Sequence, residues 1–349
     1  MKKLPAANRR GGWRLRTPHS FKVNAKRALL LLALAIPAVV AVASDRVSLG
    51  YGARQIDLHP ETSVMAAAMM LKGSAFLAVD PAGVPGEPTL RPDWPTLDAL
   101  ALPGGRFLLA DRFGVLRLVE VPVVDGKCQP REIANWPVEG TPTGLWATED
   151  YLLVASASAG LLTFHWDGSS APRLASRYPF VDYSKEIRLR DDGVAVLADN
   201  WDTGLQILNL SDPLRPEHLA TVTGGFIDSV AIAGDTVAIV DRKRSARVYT
   251  IRSPRSPQLL FEVPSLPHKD PRGGDLKRVV FSPSSRLMVC EGPAGAQLVT
   301  FYLRDGKPDS KTVFVFNDAG VNDAVFLTEE TVLLSLMNGE IRRVQLPAR

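Results

Sequence analysis

The sequence predicts an all-β protein, a β-propeller of seven four-stranded blades with six as the alternative, and three observations carry that prediction. A short apolar run that usually ends in an acid recurs, with its last residues spaced 31, 45, 43, 42, 50 and 45 apart. Thirteen residues before six of these ends a polar residue opens another apolar run. Gly and Pro number 27 each, which suits a chain made of many turns. Four short antiparallel strands at such a period form a propeller, because one such unit cannot bury its faces alone and must stack on its neighbours.

The chain opens on a leader. Residues 1–27 carry nine Lys and Arg and no acid, and the 16 residues from Ala28 to Ala43 form an apolar run. This is the pattern of an export signal, and Ala41-Val42-Ala43 offers small residues where a signal peptidase cuts. The expectation is cleavage after Ala43, with residues 44–349 forming a single domain in the periplasm or outside the cell. The alternative is an uncleaved signal anchor, the one route by which this chain would meet a membrane. A bilayer needs about 20 apolar residues, so the run is short, although its basic flank is long. Without the leader the charge balance reverses, since 32 basic residues then face 37 acids for a net charge of −5. A nucleic-acid-binding surface therefore has no support.

The repeated runs come next. They are Leu77 to Asp80, Leu108 to Asp111, Leu153 to Ser156, Val196 to Asp199, Ala238 to Asp241, Leu287 to Glu291 and Val332 to Leu336. Asp98, Thr143, Glu186, Asp228, Arg278 and Asp323 open the preceding strand in six copies, and Ala67 holds that place in the first. Turns such as Pro103-Gly104-Gly105, Asp191-Asp192-Gly193 and Gly234-Asp235 separate the two runs and fit tight hairpins. A glycine then precedes a third strand at Gly114, Gly160, Gly204, Gly295 and Gly339. Prolines at 213 and 216, and again at 254 and 257, mark turns into a fourth strand, where Pro is tolerated at an exposed edge. Pro81, Pro85, Pro88, Pro92 and Pro95 make the piece after Asp80 poor material for interior strands. The last copy runs out near Leu346, and a segment near Val47 to Leu58 is expected to supply its missing outer strand and close the ring.

Gly204-Leu205-Gln206-Ile207-Leu208-Asn209-Leu210-Ser211-Asp212-Pro213, with Pro216, resembles the LVIVD repeat, a β-propeller module of exported bacterial proteins. The likeness is close over residues 185–265 and weakens where Asp125-Gly126-Lys127 and Asp305-Gly306-Lys307 replace the Ser-Asp-Pro turn. It implies the fold and an exported setting, and it assigns no activity.

No nucleophile elbow, phosphate-cradling glycine loop or metal-protease helix is present. His59, His165, His218 and His268 share no register and are expected as surface or wedge residues. Asn200-Trp201-Asp202-Thr203 after Asp199 offers clustered oxygens to a cation such as calcium, or a polar turn. Cys128 and Cys290 fall in the second and sixth copies, too far apart to bridge, so two free thiols are expected, Cys128 in an exposed turn and Cys290 buried.

The repeat itself gives the candidate site. The start of one strand and the end of its antiparallel partner lie at the same end of the sheet. Asp98, Thr143, Glu186, Asp228, Arg278 and Asp323 should thus ring the channel mouth beside the outer acids Asp80, Asp111, Asp199, Asp241 and Glu291. An acid ending a strand also caps turns, so a structural role is the competing reading for both sets. Four carboxylates at one mouth repel unless a cation, Arg278 or water separates them. The function expected is a non-enzymatic scaffold that binds a protein, polysaccharide or small ligand at this face and carries no cofactor. The alternative is a propeller hydrolase or lactonase that holds a divalent cation such as calcium over the channel.

Overall fold

The computed structural model describes residues 45–179, 183–199, 203–222, 225–241, 245–267, 277–304 and 307–348. The expected leader, residues 200–202 of the candidate calcium segment and His268 lie outside the described residues. The strands form seven four-stranded antiparallel sheets and one two-stranded hairpin. The seven innermost strands are Gln55–Leu58, Thr96–Leu102, Pro142–Ala147, Ser184–Leu189, Ile227–Ala233, Arg278–Phe281 and Val321–Phe326, which define blades 1 to 7 in chain order. Each contacts the innermost strand of the next blade, and that of blade 7 contacts that of blade 1, so the ring is closed around a central channel.

Strand composition follows position in the blade. Second strands such as Val194–Asp199 are buried at every residue, because neighbouring blades cover both of their faces and leave no polar side to alternate with. Outer strands such as Glu217–Val222 are largely exposed. Among the described residues, an apolar cluster fills each of the seven gaps between adjacent blades. Burial of this surface, at roughly 25 cal/mol per Å², is what binds blade to blade. The turn into the third strand requires glycine where the chain passes close to the outer strand: a Cβ on Gly295, whose φ is +105°, would sit 1.9 Å from the Phe316 carbonyl oxygen.

The ring closes as expected from the Val47 segment. Arg46–Ser48 pairs antiparallel with Glu340–Gln345, with Val47 opposite Ile341, and becomes the outer strand of blade 7. Arg343 N donates to Asp45 O and Leu49 N to Gly339 O, both at 2.7 Å. Seven blades, rather than six, complete the circle.

Two expectations need correction. Leu77 and Ala78 lie in the third strand of blade 1, Ser74–Ala78, not the second, and Ala67 lies in the second strand, Val64–Ala68. The residue of blade 1 that corresponds to Asp111 is Met69, since Gln55 pairs with Ala68 as Asp98 pairs with Ala110. The proline-rich piece after Asp80 then supplies only the short outer strand Thr89–Arg91, which resolves the anomalous 31-residue interval. Cys128 is buried rather than exposed. It lies in the Val123–Val124/Lys127–Cys128 hairpin, turned by Asp125 and Gly126 at φ 50° and 75°. That hairpin leans on blade 1 and brings Cys128 into the cluster of Phe76, Trp94 and Phe107. Cys290 is buried in the second strand of blade 6, and both thiols are free.

Candidate functional site at the channel mouth

The innermost strands of blades 2, 3, 4, 5 and 7 each carry a register shift at their first residues. Bulges of this kind re-aim a side chain, and here they sort the channel residues into two rings. Asp98, Gly144, Glu186, Ser229, Arg278 and Asp323 pair with equivalent positions of their second strands, and Gln55 does so in blade 1. One residue earlier, nearer the mouth, stand Thr143, Lys185, Asp228 and Asn322 at the bulges, with Arg54 and Lys277 at the same point of blades 1 and 6.

The six residues expected from the repeat therefore surround one channel but occupy two levels. Asp98, Glu186, Arg278 and Asp323 lie in the deeper ring, whereas Thr143 and Asp228 lie in the mouth ring. The cause is turn length. The first hairpins of blades 3 and 5 have two-residue turns, closed by Thr148 with Tyr151 and by Ala233 with Thr236. Blades 2, 4, 6 and 7 have three-residue turns, so counting thirteen residues back stops one position early in the shorter pair.

The deeper ring stitches each blade to the next. The inner edge of an innermost strand has no neighbouring strand, and its N–H groups need acceptors. Asp98 Oδ2 accepts from Leu145 N at 2.7 Å, Glu186 Oε2 from Val230 N at 3.1 Å, Ser229 Oγ from Val279 N at 3.3 Å and Asp323 Oδ2 from Ile56 N at 2.8 Å. The reach is one blade onward each time. Gly144 has nothing to offer, and blade 4 fills the space: a Cβ there would lie 2.8 Å from Lys185 O. Arg278 cannot accept, and Ala324 N turns instead to Asp323 Oδ1 at 2.8 Å. In the mouth ring Thr143 Oγ1 donates toward Ala155 O and Ser184 O at 3.0 and 2.8 Å.

Arg278 crosses the channel. Its Nη2 meets Glu186 Oε1 and its Nε meets Asp323 Oδ1, each at 3.0 Å, while Nη1 donates to Gln55 Oε1 at 3.2 Å. Gln55 in turn donates to Asp98, Arg188 bonds Glu186, and Lys185 pairs with Asp228. The expected repulsion among four carboxylates is thus relieved by three cations, an amide and backbone N–H groups. Burial still marks these acids. It pushes Asp98 up to about 7 against the pull of Arg278 and Arg188, and Asp323 up to about 6 against Arg278. Burial also opposes ionisation of Glu186, but Arg188 and Arg278 together outweigh it and hold this carboxyl below its ordinary value.

Arg278 and Gln55 line two chambers at once, so they form a septum. Above it lies a mouth chamber of about 500 Å3, walled by blades 1, 3, 4, 5, 6 and 7. Below it lies a second chamber of about 320 Å3, where Asp57, Asp98, Arg188 and Asp323 stand among apolar walls. Among the described residues the ionic lining of the mouth chamber is Arg54, Lys185, Lys277 and Arg278 against Glu186 and Asp228, an excess of two positive charges. Among the described residues no three His, Cys, Asp or Glu side chains converge to hold a metal ion.

Asp111, Asp199, Asp241 and Glu291 sit at the same end of the sheets but serve their own turns, whereas Asp80, expected beside them, follows the third strand of blade 1 and lies at the opposite end, because Ala78 pairs with Val64 at the start of the second strand. Asp111 Oδ1 accepts Phe113 N and its Oδ2 meets Arg117, while Glu291 Oε2 accepts Leu266 N at 2.7 Å. Of the described histidines, His59 is a buried wedge between blades 1 and 2: the N–H groups of Glu61 and Thr62 point at Nδ1, and Nε2 lies 2.6 Å from Leu102 O and 3.1 Å from Gly105 N. His165 stacks on Tyr151 and His218 bonds Thr221.

Arg54, Gln55, Lys185, Arg188 and Lys277 were not among the expected site residues. Arg188 had a usable signal, since period-two alternation puts it on the same face as Glu186. Arg54 and Gln55 were hidden because the first copy was aligned on its third strand.

No protein-family model matches the chain, and no curated protein matches it. Solved structures do. A chain of the crystal structure of a mitotic checkpoint complex aligns with a TM-score of 0.66 at 13% identity, covering 93% of this chain and 100% of that one. The computationally designed Ika8 protein aligns with a TM-score of 0.55 at 10% identity, covering 86% and 98% respectively. At these identities the likeness establishes the β-propeller fold and nothing about activity.

Proposed function

We propose that this chain is an exported, non-enzymatic β-propeller of the LVIVD-repeat kind, whose channel mouth binds a ligand. One observation carries the reading: side chains from six blades converge on a single open chamber of about 500 Å3, a size that suits a small molecule or the tip of a larger one. The leader pattern supports export, and the Ser211-Asp212-Pro213 turn of blade 4, with the paired prolines 213/216 and 254/257 of blades 4 and 5, supports the repeat assignment. A cation-dependent hydrolase is the weaker reading, because Glu186, Asp228 and Asp323 already bond Arg188, Lys185 and Arg278 and Asp98 bonds Gln55 and Leu145 N. A metal would have to displace these partners.

The test is a thermal-shift screen of the full chain against sugars, nucleotides, organic acids and amines, repeated on Met70→Trp. Met70 lines the chamber and is 38% exposed, so a larger ring there obstructs the mouth without entering the core. Compounds that stabilise the parent should lose their effect on the variant. Turnover of esters or lactones that a chelator abolishes would overturn the scaffold reading.

A further inference from the structure

We infer that the mouth chamber is an oxyanion site, and that Arg54 is the group that binds a carboxylate- or phosphate-bearing small molecule there. The inference rests on the chamber being the binding site and adds the chemical class of its ligand. Two independent features point the same way. First, among the described residues the ionic lining carries four cations against two carboxylates, and those two are already engaged by Lys185, Arg188 and Arg278. Second, among the described residues the Arg54 guanidinium has no hydrogen-bond or ion-pair partner, although Arg188, Arg278 and Lys185 each do.

Arg54 is half-buried on the wall of the open chamber, so its guanidinium gives up part of its hydration without a protein partner in return. Burial, with Arg278 adding to it, lowers the pKa of Arg54. Asp98 and Glu186 act on Arg54 through space, yet their oxygens are spent on Gln55, Leu145 N, Arg188, Arg278 and Val230 N. An oxyanion entering from the mouth would meet a planar fork of donors bonded to no acceptor among the described residues, the arrangement that recognises carboxylate and phosphate in a bidentate manner. A divalent cation would meet the same uncompensated charge and be repelled. An oxyanion site runs against the alternative, drawn from the acids alone, of a calcium ion over the channel.

The experiment is isothermal titration calorimetry of the full chain with three probes at low salt: inorganic phosphate, succinate and calcium. The expected result is binding of phosphate or succinate that falls at least tenfold in Arg54→Gln and persists in Arg131→Gln, a control on an exposed outer strand. Phosphate alone binding identifies a phosphate-bearing ligand, succinate alone a carboxylate, and both a general oxyanion site. Arg54→Gln should melt at the parent temperature or above it, because it removes an unpaired cation. If that variant fails to fold, Asn322→Glu supplies an internal carboxylate on the chamber wall and should raise the melting temperature while blocking both anions.

Anion binding unchanged in Arg54→Gln, no binding of either anion, or calcium binding lost in Asp228→Asn would each overturn the proposal. None of these results touches the scaffold reading, which fails only if the Met70→Trp screen shows no ligand that depends on the mouth or if cation-dependent turnover is found.

Discussion

Asp98→Asn should change how the stability of this protein depends on pH, and the geometry fixes both sign and size. The Asp98 carboxyl is raised from 3.8 to about 7, first by burial. The folded chain therefore holds this proton more tightly than the unfolded chain does. Below about pH 4 both states are protonated and Asp98 costs nothing; as pH rises through 7 the folded state must ionise a buried acid and stability is lost. At about 1.36 kcal/mol for each pH unit that separates the folded from the unfolded value, the full loss approaches about 4 kcal/mol by pH 8. Asparagine keeps an acceptor for Leu145 N but turns an N–H2 toward Gln55 Nε2, which costs about 1 kcal/mol. The variant should thus be slightly less stable than the parent near pH 3.5, about equal to it near pH 4.5 and more stable by roughly 3 kcal/mol at pH 8. Urea midpoints followed by tryptophan fluorescence between about pH 3.5 and 8 would show the two curves crossing. Parallel curves would refute the argument, because they would mean that Asp98 is ionised in the folded state at no cost.

Three further outcomes follow from the same packing. Arg278→Leu leaves Glu186 and Asp323 facing each other without their shared cation and should cost about 3–5 kcal/mol, more at pH 8 than at pH 5 because Asp323 can take up a proton; an unchanged thermal midpoint would contradict the septum. Cys128, pushed up to about 11 by burial, and Cys290, raised well above its ordinary value by burial, should resist a thiol reagent in the folded chain; both should react after denaturation without reductant, and recovery of fewer than two thiols would contradict their free state. Val47→Pro removes a ladder N–H from the strand that closes the ring and should lower stability by about 1–3 kcal/mol in a urea titration, whereas no change would mean that the ring is held without it.

The fold was legible because second strands are buried on both faces and so repeat as apolar runs whatever surrounds them. Leu108 to Asp111 and Val196 to Asp199 are second-strand ends at the same register, and that recurrence alone sets the period. The closing strand was legible from what was missing, an outer partner for Glu340–Gln345. The channel was legible only to within a residue. Thr143 and Asp228 share a thirteen-residue spacing with Glu186 but not its level, because a turn one residue shorter moves the count along the strand and a bulge absorbs the difference. Blade 1 was misread for a different reason. Its Leu77 and Ala78 mimic a second strand in composition, and nothing in a single sequence says that the Asp80 after them belongs to a third. The cations of the channel escaped notice because Lys185, Arg188 and Lys277 read as ordinary charged residues until the ring brings them inward.

The two kinds of charge in this channel answer to different physics. The apolar clusters between blades are built from the same few residue types, Leu, Val, Ala and Ile, and such surfaces tolerate exchange of one neighbour for another or a slip along the strand. The stitches do not. Asp98 reaches Leu145 N, Glu186 reaches Val230 N and Asp323 reaches Ile56 N, and a one-residue slip of any innermost strand would carry the N–H away from its acceptor and turn the side chain to the opposite face. A buried ion pair adds little net stability over an apolar one, so these acids act on which arrangement forms more than on how strongly it is held. That accounts for every carboxylate of the deeper ring without reference to a ligand. It does not account for Arg54, which bonds no other blade, bears a burial cost and faces the open chamber. The residue that structural stitching leaves over is therefore the one on which recognition of an oxyanion is expected to turn.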